Sequence, residues 1–154
     1  MRIASTYRLR DRYLIHPEKR TTEGLWLAQP DFVSLSLKAL PAELGVAVLG
    51  SLAQSSGVLP HPTVWAGLAK PRLVAAGVTS EKSFMLGAHF VGVSLTDGIF
   101  LEPSHNGGPS GGQRGFSPLP ISRMSLPVDS TPEEVGKALL AAFNACTPSR
   151  ARSN

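Results

Sequence analysis

Ser104, His105 and Asn106 stand side by side, with Asp97 a few residues before them, and these are the residue types of a hydroxyl nucleophile, a base and its orienting groups. Neighbours along a chain seldom point at one another, so the run is a weak triad and no catalytic residue is expected. The four histidines, His16, His61, His89 and His105, are far apart, and none has helical spacing to another or a cysteine partner, so no metal site is expected. The stretch 106–115, Asn-Gly-Gly-Pro-Ser-Gly-Gly-Gln-Arg-Gly, lacks the Gly-Lys-Ser/Thr ending of a phosphate loop, and no helix start follows it. It reads as a surface connection, and no cofactor is expected. Glu133 and Glu134 are explained by helix capping, and the single cysteine, Cys146, reads as an ordinary helix residue in a reducing compartment. His61-Pro62-Thr63 with Trp65 is more distinctive. Thr63 is expected to cap a helix and Trp65 to fill the core, with an exposed aromatic anchor as the other reading.

Elements must hold these residues, and their periodicity predicts an α+β domain. Residues 6–15 alternate as one strand, which His16-Pro17 should break. Segments 24–28 and 32–37 are short and β-prone, and Gln29-Pro30-Asp31 between them predicts a hairpin. Helical spacing then predicts helices near 41–55, 63–76, 80–87 and 132–145, the third capped by Ser80 or Thr79 and the last by Thr131. Strands 89–95 and 99–102, joined by Thr96-Asp97-Gly98, form the firmest hairpin, and further strands are expected at 116–119 and 121–126. The expectation is a mostly antiparallel sheet of about five to seven strands, with helices packed mainly on one face. One internal echo supports two similar strand-then-helix units. Pro41-Ala-Glu-Leu-Gly45 matches Pro132-Glu-Glu-Val-Gly136, with the glycines expected to allow close packing against the sheet.

A chain of 154 residues suits one domain, and 42% hydrophobic with 17% charged residues suits a folded one. No apolar run is long enough to cross a bilayer and no signal peptide is visible, so the expected location is the cytoplasm, without membrane partners. The net charge of +4 is uneven: residues 1–23 carry six basic groups against three acidic ones, Arg150 and Arg152 add two at the end, and the middle is close to neutral. Arg8, Arg10 and Arg12 alternate with Tyr7, Leu9 and Tyr13 as a strand with one wet face would, so direct nucleic-acid binding is not expected.

Several short segments, in order over residues 20–146, resemble the immunity proteins of bacterial contact-dependent growth inhibition systems. They are Arg20-Thr-Thr-Glu-Gly-Leu-Trp-Leu-Ala28, Phe32-Val-Ser-Leu-Ser-Leu37, Pro41 to Gly45, His61-Pro-Thr-Val-Trp65, Ser83-Phe-Met-Leu-Gly-Ala88, Gly115-Phe-Ser-Pro-Leu-Pro120 and Thr131 to Gly136. The resemblance implies a non-enzymatic cytoplasmic protein that binds the carboxy-terminal toxin domain of a large secreted effector, often a nuclease, and blocks it sterically. Residues expected at such an interface are the acids Glu18, Glu23, Asp31, Asp97 and Glu102, the aromatic Trp65, and His105, Asn106 and Arg114 around the glycine-rich loop. Two other readings remain at this point, a regulatory domain using the amino-terminal arginines on nucleic acid and a small hydrolase centred on Ser104 and His105.

Overall fold

A computed structural model describes residues 1–149, so Arg150 and Arg152 lie outside the described residues. The segment expected as one strand is two. β1 (Arg2–Arg8) and β2 (Arg12–Thr21) pair antiparallel across a turn at Arg10-Asp11, where the Leu9 amide donates to the Arg12 carbonyl at 2.8 Å. The wet face splits accordingly: Arg10 is exposed in the turn, while Arg8 and Arg12 are half-buried and Tyr7, Leu9 and Tyr13 are buried.

β3 (Trp26–Ala28) and β4 (Val33–Ser36), expected to form a hairpin with each other, both run antiparallel to β2, end to end along its outer edge. The Phe32 amide closes a bend on the Pro30 carbonyl at 2.8 Å, which offsets the chain without reversing it. This arrangement also explains why His16 and Pro17 sit inside β2 instead of ending it. The Pro17 carbonyl accepts from Gln29 N–H at 2.9 Å. Because the N and C=O of one strand residue point the same way, the missing donor of Pro17 faces the gap between β3 and β4, where no ladder bond is lost.

α1 (Pro41–Gln54) follows, with proline at its first turn, and then β5 (Val58–Leu59) adds a short parallel contact to the end of β2. Residues 60–69 are irregular, and the helix expected from 63 begins only at Lys70, as α2 (Lys70–Ala76). Pro71 decides this start, because its missing N–H costs nothing in a first turn and would break a helix interior. α3 (Glu81–Met85) is capped by Ser80, whose hydroxyl accepts from the Ser83 amide at 3.1 Å. β6 (His89–Leu95) and β7 (Ile99–Asn106) form the expected hairpin, followed by β8 (Phe116–Pro118), a 3-10 turn at Pro120–Ser122, β9 (Met124–Leu126) and α4 (Pro132–Ala145), with Thr131 as cap. The fold is α+β. Its sheet runs β3-β2-β1-β6-β7-β8, with β4 and β5 also on β2 and β9 also on β7.

This order hides an internal repeat. β1-β2-β3-β4-α1 and β6-β7-β8-β9-α4 have the same topology: a hairpin whose second strand carries two short strands end to end, then a helix. The halves meet where β1 lies antiparallel to β6, with Ser5 opposite Gly92. Val33-Ser34-Leu35 corresponds to Met124-Ser125-Leu126 at the same 91-residue offset that relates Pro41 to Pro132 and Gly45 to Gly136. The glycines do not pack against the sheet, as expected, but against the partner helix. A Cβ on Gly45 would lie 1.7 Å from the Pro132 carbonyl oxygen, and one on Gly136 would lie 1.7 Å from that of Pro41. Each helix therefore starts in the notch of the other.

Two apolar clusters flank the sheet. Tyr13, Ile15, Val91, Val93, Ile99 and Leu101 pack beneath α1 and α4, which supply Leu44, Val48, Val135, Leu139 and Phe143. The alternate residues Tyr7 and Leu14 point to the opposite face, where they meet Ala76, Phe84, Met85 and Ala88 from the segment that links the halves. Full burial of each such Leu, Val or Phe contributes about 1.5–3 kcal/mol.

Candidate protein-binding surface

The triad candidates are parted by strand geometry. Ser104 and His105 are neighbours on β7 and point to opposite sides. The buried Ser104 hydroxyl donates to the Phe90 carbonyl at 2.6 Å, whereas His105 Nδ1 lies 2.6 Å from Thr147 Oγ1. Asp97 is in the turn at the far end of β7, roughly 20 Å along the strand, and it accepts from the Thr96 hydroxyl at 3.0 Å. Cys146 is also buried, with Sγ 3.3 Å from the Phe90 carbonyl, and burial pushes its thiol pKa up. Among the described residues, no three His, Cys, Asp or Glu side chains gather where a metal could bind.

The glycine-rich loop is closed on itself. The Gly107 amide donates to Gly115 O at 2.8 Å, and the Gly115 amide donates to Gly108 O at 2.9 Å. Asn106, expected at an interface, is buried instead. Its amide donates to the Met85 and Ala88 carbonyls at 2.8 and 2.9 Å, and its oxygen accepts from Gly108 N–H, which fixes the α3–β6 turn to the loop. Arg114 remains exposed in that loop.

Trp65, expected in the core, is 51% exposed, since the helix that would have buried it does not form. It meets His61 edge to face at 5.4 Å. His61 Nδ1 lies 2.9 Å from Thr21 Oγ1, and its Nε2 lies 3.2 Å from Glu23. Asp31 is exposed in the bend between β3 and β4.

Glu18 and Glu102 both face the side of the sheet opposite α1 and α4. On this face the repeat is broken. Around Tyr7, Leu14, His16 and Phe90, the linking segment lays α2 and α3 over the strands as a roof. Arg72 of α2 donates to Tyr7 Oη at 3.2 Å, stacks 4.4 Å over Phe84 and pairs with Glu81 at 2.8 Å. His16, only 1% exposed, lies between the rings of Tyr7 and Phe32, and desolvation lowers its pKa to about 4.

Exchanging the halves carries Tyr7 to Ser94, Leu14 to Phe100, His16 to Glu102, Phe90 to Ile3, Phe32 to Arg123 and Phe116 to Trp26. Ser94, Phe100, Glu102, Ile3 and Trp26 are each half-buried, and among the described residues none of them belongs to the cluster that α2 and α3 cover. Arg123 stacks 4.3 Å from the Phe100 ring centre and lies 3.7 Å from Glu102. Glu18 sits at the boundary, accepting from the Ser5 hydroxyl at 2.8 Å, and burial raises its pKa. Ile121, on the 3-10 turn beside β7, is 99% exposed. Sequence reading missed Phe100, Arg123, Ile121 and Trp26. For Arg123 the 91-residue offset was a usable signal, since it sets the aromatic Phe32 against this cationic residue.

The family described as CdiI, CDI immunity protein, matches residues 69–146, just over half of the chain. The chain belongs to the CDI immunity protein family. This immunity protein has the fold of two solved structures, each at 16% identity. One is a protein of unknown function from Neisseria meningitidis, with a TM-score of 0.72 over 94% of both chains. The other belongs to a CdiA-CT/CdiI toxin and immunity complex from Yersinia pseudotuberculosis, with a TM-score of 0.73 over 95% of this chain and 97% of that one. No curated protein matches. The family match covers α2, α3 and the second half, and it stops at Cys146, just after α4.

Proposed function

We propose that the chain acts as a single-domain, non-catalytic inhibitor in the cytoplasm of the producing cell, where it binds the cognate toxin domain of a contact-dependent growth inhibition effector. The observation that carries this reading is the family match over residues 69–146. The likeness to a chain from a toxin and immunity complex agrees with it. The broken triad agrees too, because Ser104 and His105 are each engaged by other groups and offer no nucleophile–base pair.

The inhibition is steric, with the immunity protein covering the surface that the toxin's substrate needs. For a nuclease toxin, that surface carries basic groups that hold phosphates, and the acids of the open sheet face suit it better than the chain's net charge of +4 suggests. The test is growth of cells that produce the cognate toxin, with and without this chain. Growth restored by this chain, and not by the immunity protein of an unrelated toxin, supports the reading; growth arrest unrelieved by a folded, equimolar chain rules it out.

A further inference from the structure

The roof over the first half of the sheet face shows how such a face is closed. The linking segment brings apolar side chains onto Tyr7 and Leu14 together with one guanidinium, that of Arg72, which the aromatic rings and Glu81 hold in place. One linking segment serves two equivalent half-faces, so among the described residues the second half-face has no such roof. What it presents is the complement of a roof of the same chemistry: Phe100 and Ile3 half-buried, Ile121 projecting at the rim, and two carboxylates.

The two carboxylates differ. Glu102 already has Arg123 at 3.7 Å. Glu18 has the Ser5 hydroxyl and, among the described residues, no cation within ion-pair distance. A carboxylate half-withdrawn from water with a single hydrogen bond is costly, and an arriving cation relieves that cost.

We propose that this unroofed half-face is the docking surface for the toxin domain, which sets a lysine or arginine against Glu18 and packs apolar side chains against Phe100 and Ile121. The inference rests on the function proposed above. It deepens that function by naming the surface and the chemistry of the partner: a basic group flanked by apolar ones, which is the arrangement of Arg72 on the other half. A toxin whose substrate is a polyanion would present such a group in its own binding cleft, and Glu18 would then stand where a phosphate stands.

The test is titration of the purified toxin domain with the full chain and with the variants Glu18→Gln and Ile121→Asp, after thermal melts show both variants folded. Glu18→Gln should weaken binding by about tenfold or more and flatten its salt dependence, and Ile121→Asp should weaken it by about a hundredfold. Should Ile121→Asp be unfolded, Ile121→Ser replaces it, with a loss of at least about tenfold expected. Wild-type binding that both variants retain within about twofold, on the same scale, overturns the docking surface and leaves the inhibitor reading in place. A wild-type chain that does not bind overturns both.

Discussion

The two halves of this molecule agree where they touch and differ where they face outward. At the helix crossing, Gly45 and Gly136 do the same thing, each receiving the first carbonyl of the other helix. On the sheet face opposite that crossing, Tyr7, His16 and Phe32 lie under α2 and α3, whereas their equivalents Ser94, Glu102 and Arg123 meet solvent. A duplicated scaffold has to keep the contacts that hold its copies together and is free to diverge elsewhere. Divergence at one face is therefore where function is most legible.

Substitution at the crossing should have the largest effect. Gly45→Ala and Gly136→Ala each place a methyl group inside backbone, and each should destabilise by about 4 kcal/mol or more in denaturant unfolding. The two losses should be similar, and a small loss at one glycine would break the equivalence of the halves. Next comes the contrast between roofed and open faces. Phe84→Ala removes a buried ring from the roof and should cost about 3–4 kcal/mol, while Phe100→Ala on the open half should cost under about 2 kcal/mol. Equal losses would mean that the open half is packed as tightly as the roofed one.

Acid should act on the roofed half through His16. Its pKa is about 4 in the folded protein against an ordinary 6.5 once unfolded, so the unfolded chain takes up the proton first. The neutral ring's contribution is fully present above pH 6.5 and is lost as pH falls towards 4, for a total of about 3 kcal/mol. Urea midpoints across that window should fall in the wild type and fall less in His16→Gln. Glu18 has the opposite sign: its raised pKa means that protonation on acidification favours the folded chain, which offsets part of the loss. The smallest effect is expected at Trp65, where Trp65→Ala should change stability by less than about 1 kcal/mol because the ring is half in water.

Much of this fold could be read from residue types. The Asp97-Gly98 turn, the caps Ser80 and Thr131, and the helix starts Pro41 and Pro132 are local signals, and the structure follows them. Where reading fails, a neighbour in space overrules the chain. Pro17 reads as the end of a strand, yet its nitrogen faces a gap between two short strands that no sequence pattern announces. Pro71 lies inside the helix expected over 63–76 and is a beginning, so Trp65 belongs to the surface and not to the core.

The surface itself is legible only in part. Glu18 and Glu102 stand among the expected acids because of their charge, but Asn106 joins that set for its loop and proves to hold that loop from within. Ile121 and the Arg123–Phe100 stack could not be ranked from sequence, since their exposure depends on a roof that covers one copy and not the other.

The central claim, that this immunity protein is a direct inhibitor, is tested most directly by calorimetric titration of the cognate toxin domain at physiological salt. A one-to-one complex with a Kd at or below about 1 nM, on the order of −12 kcal/mol, is the result this account predicts. No heat and no complex, with the toxin domain folded and active and the chain folded, would contradict it.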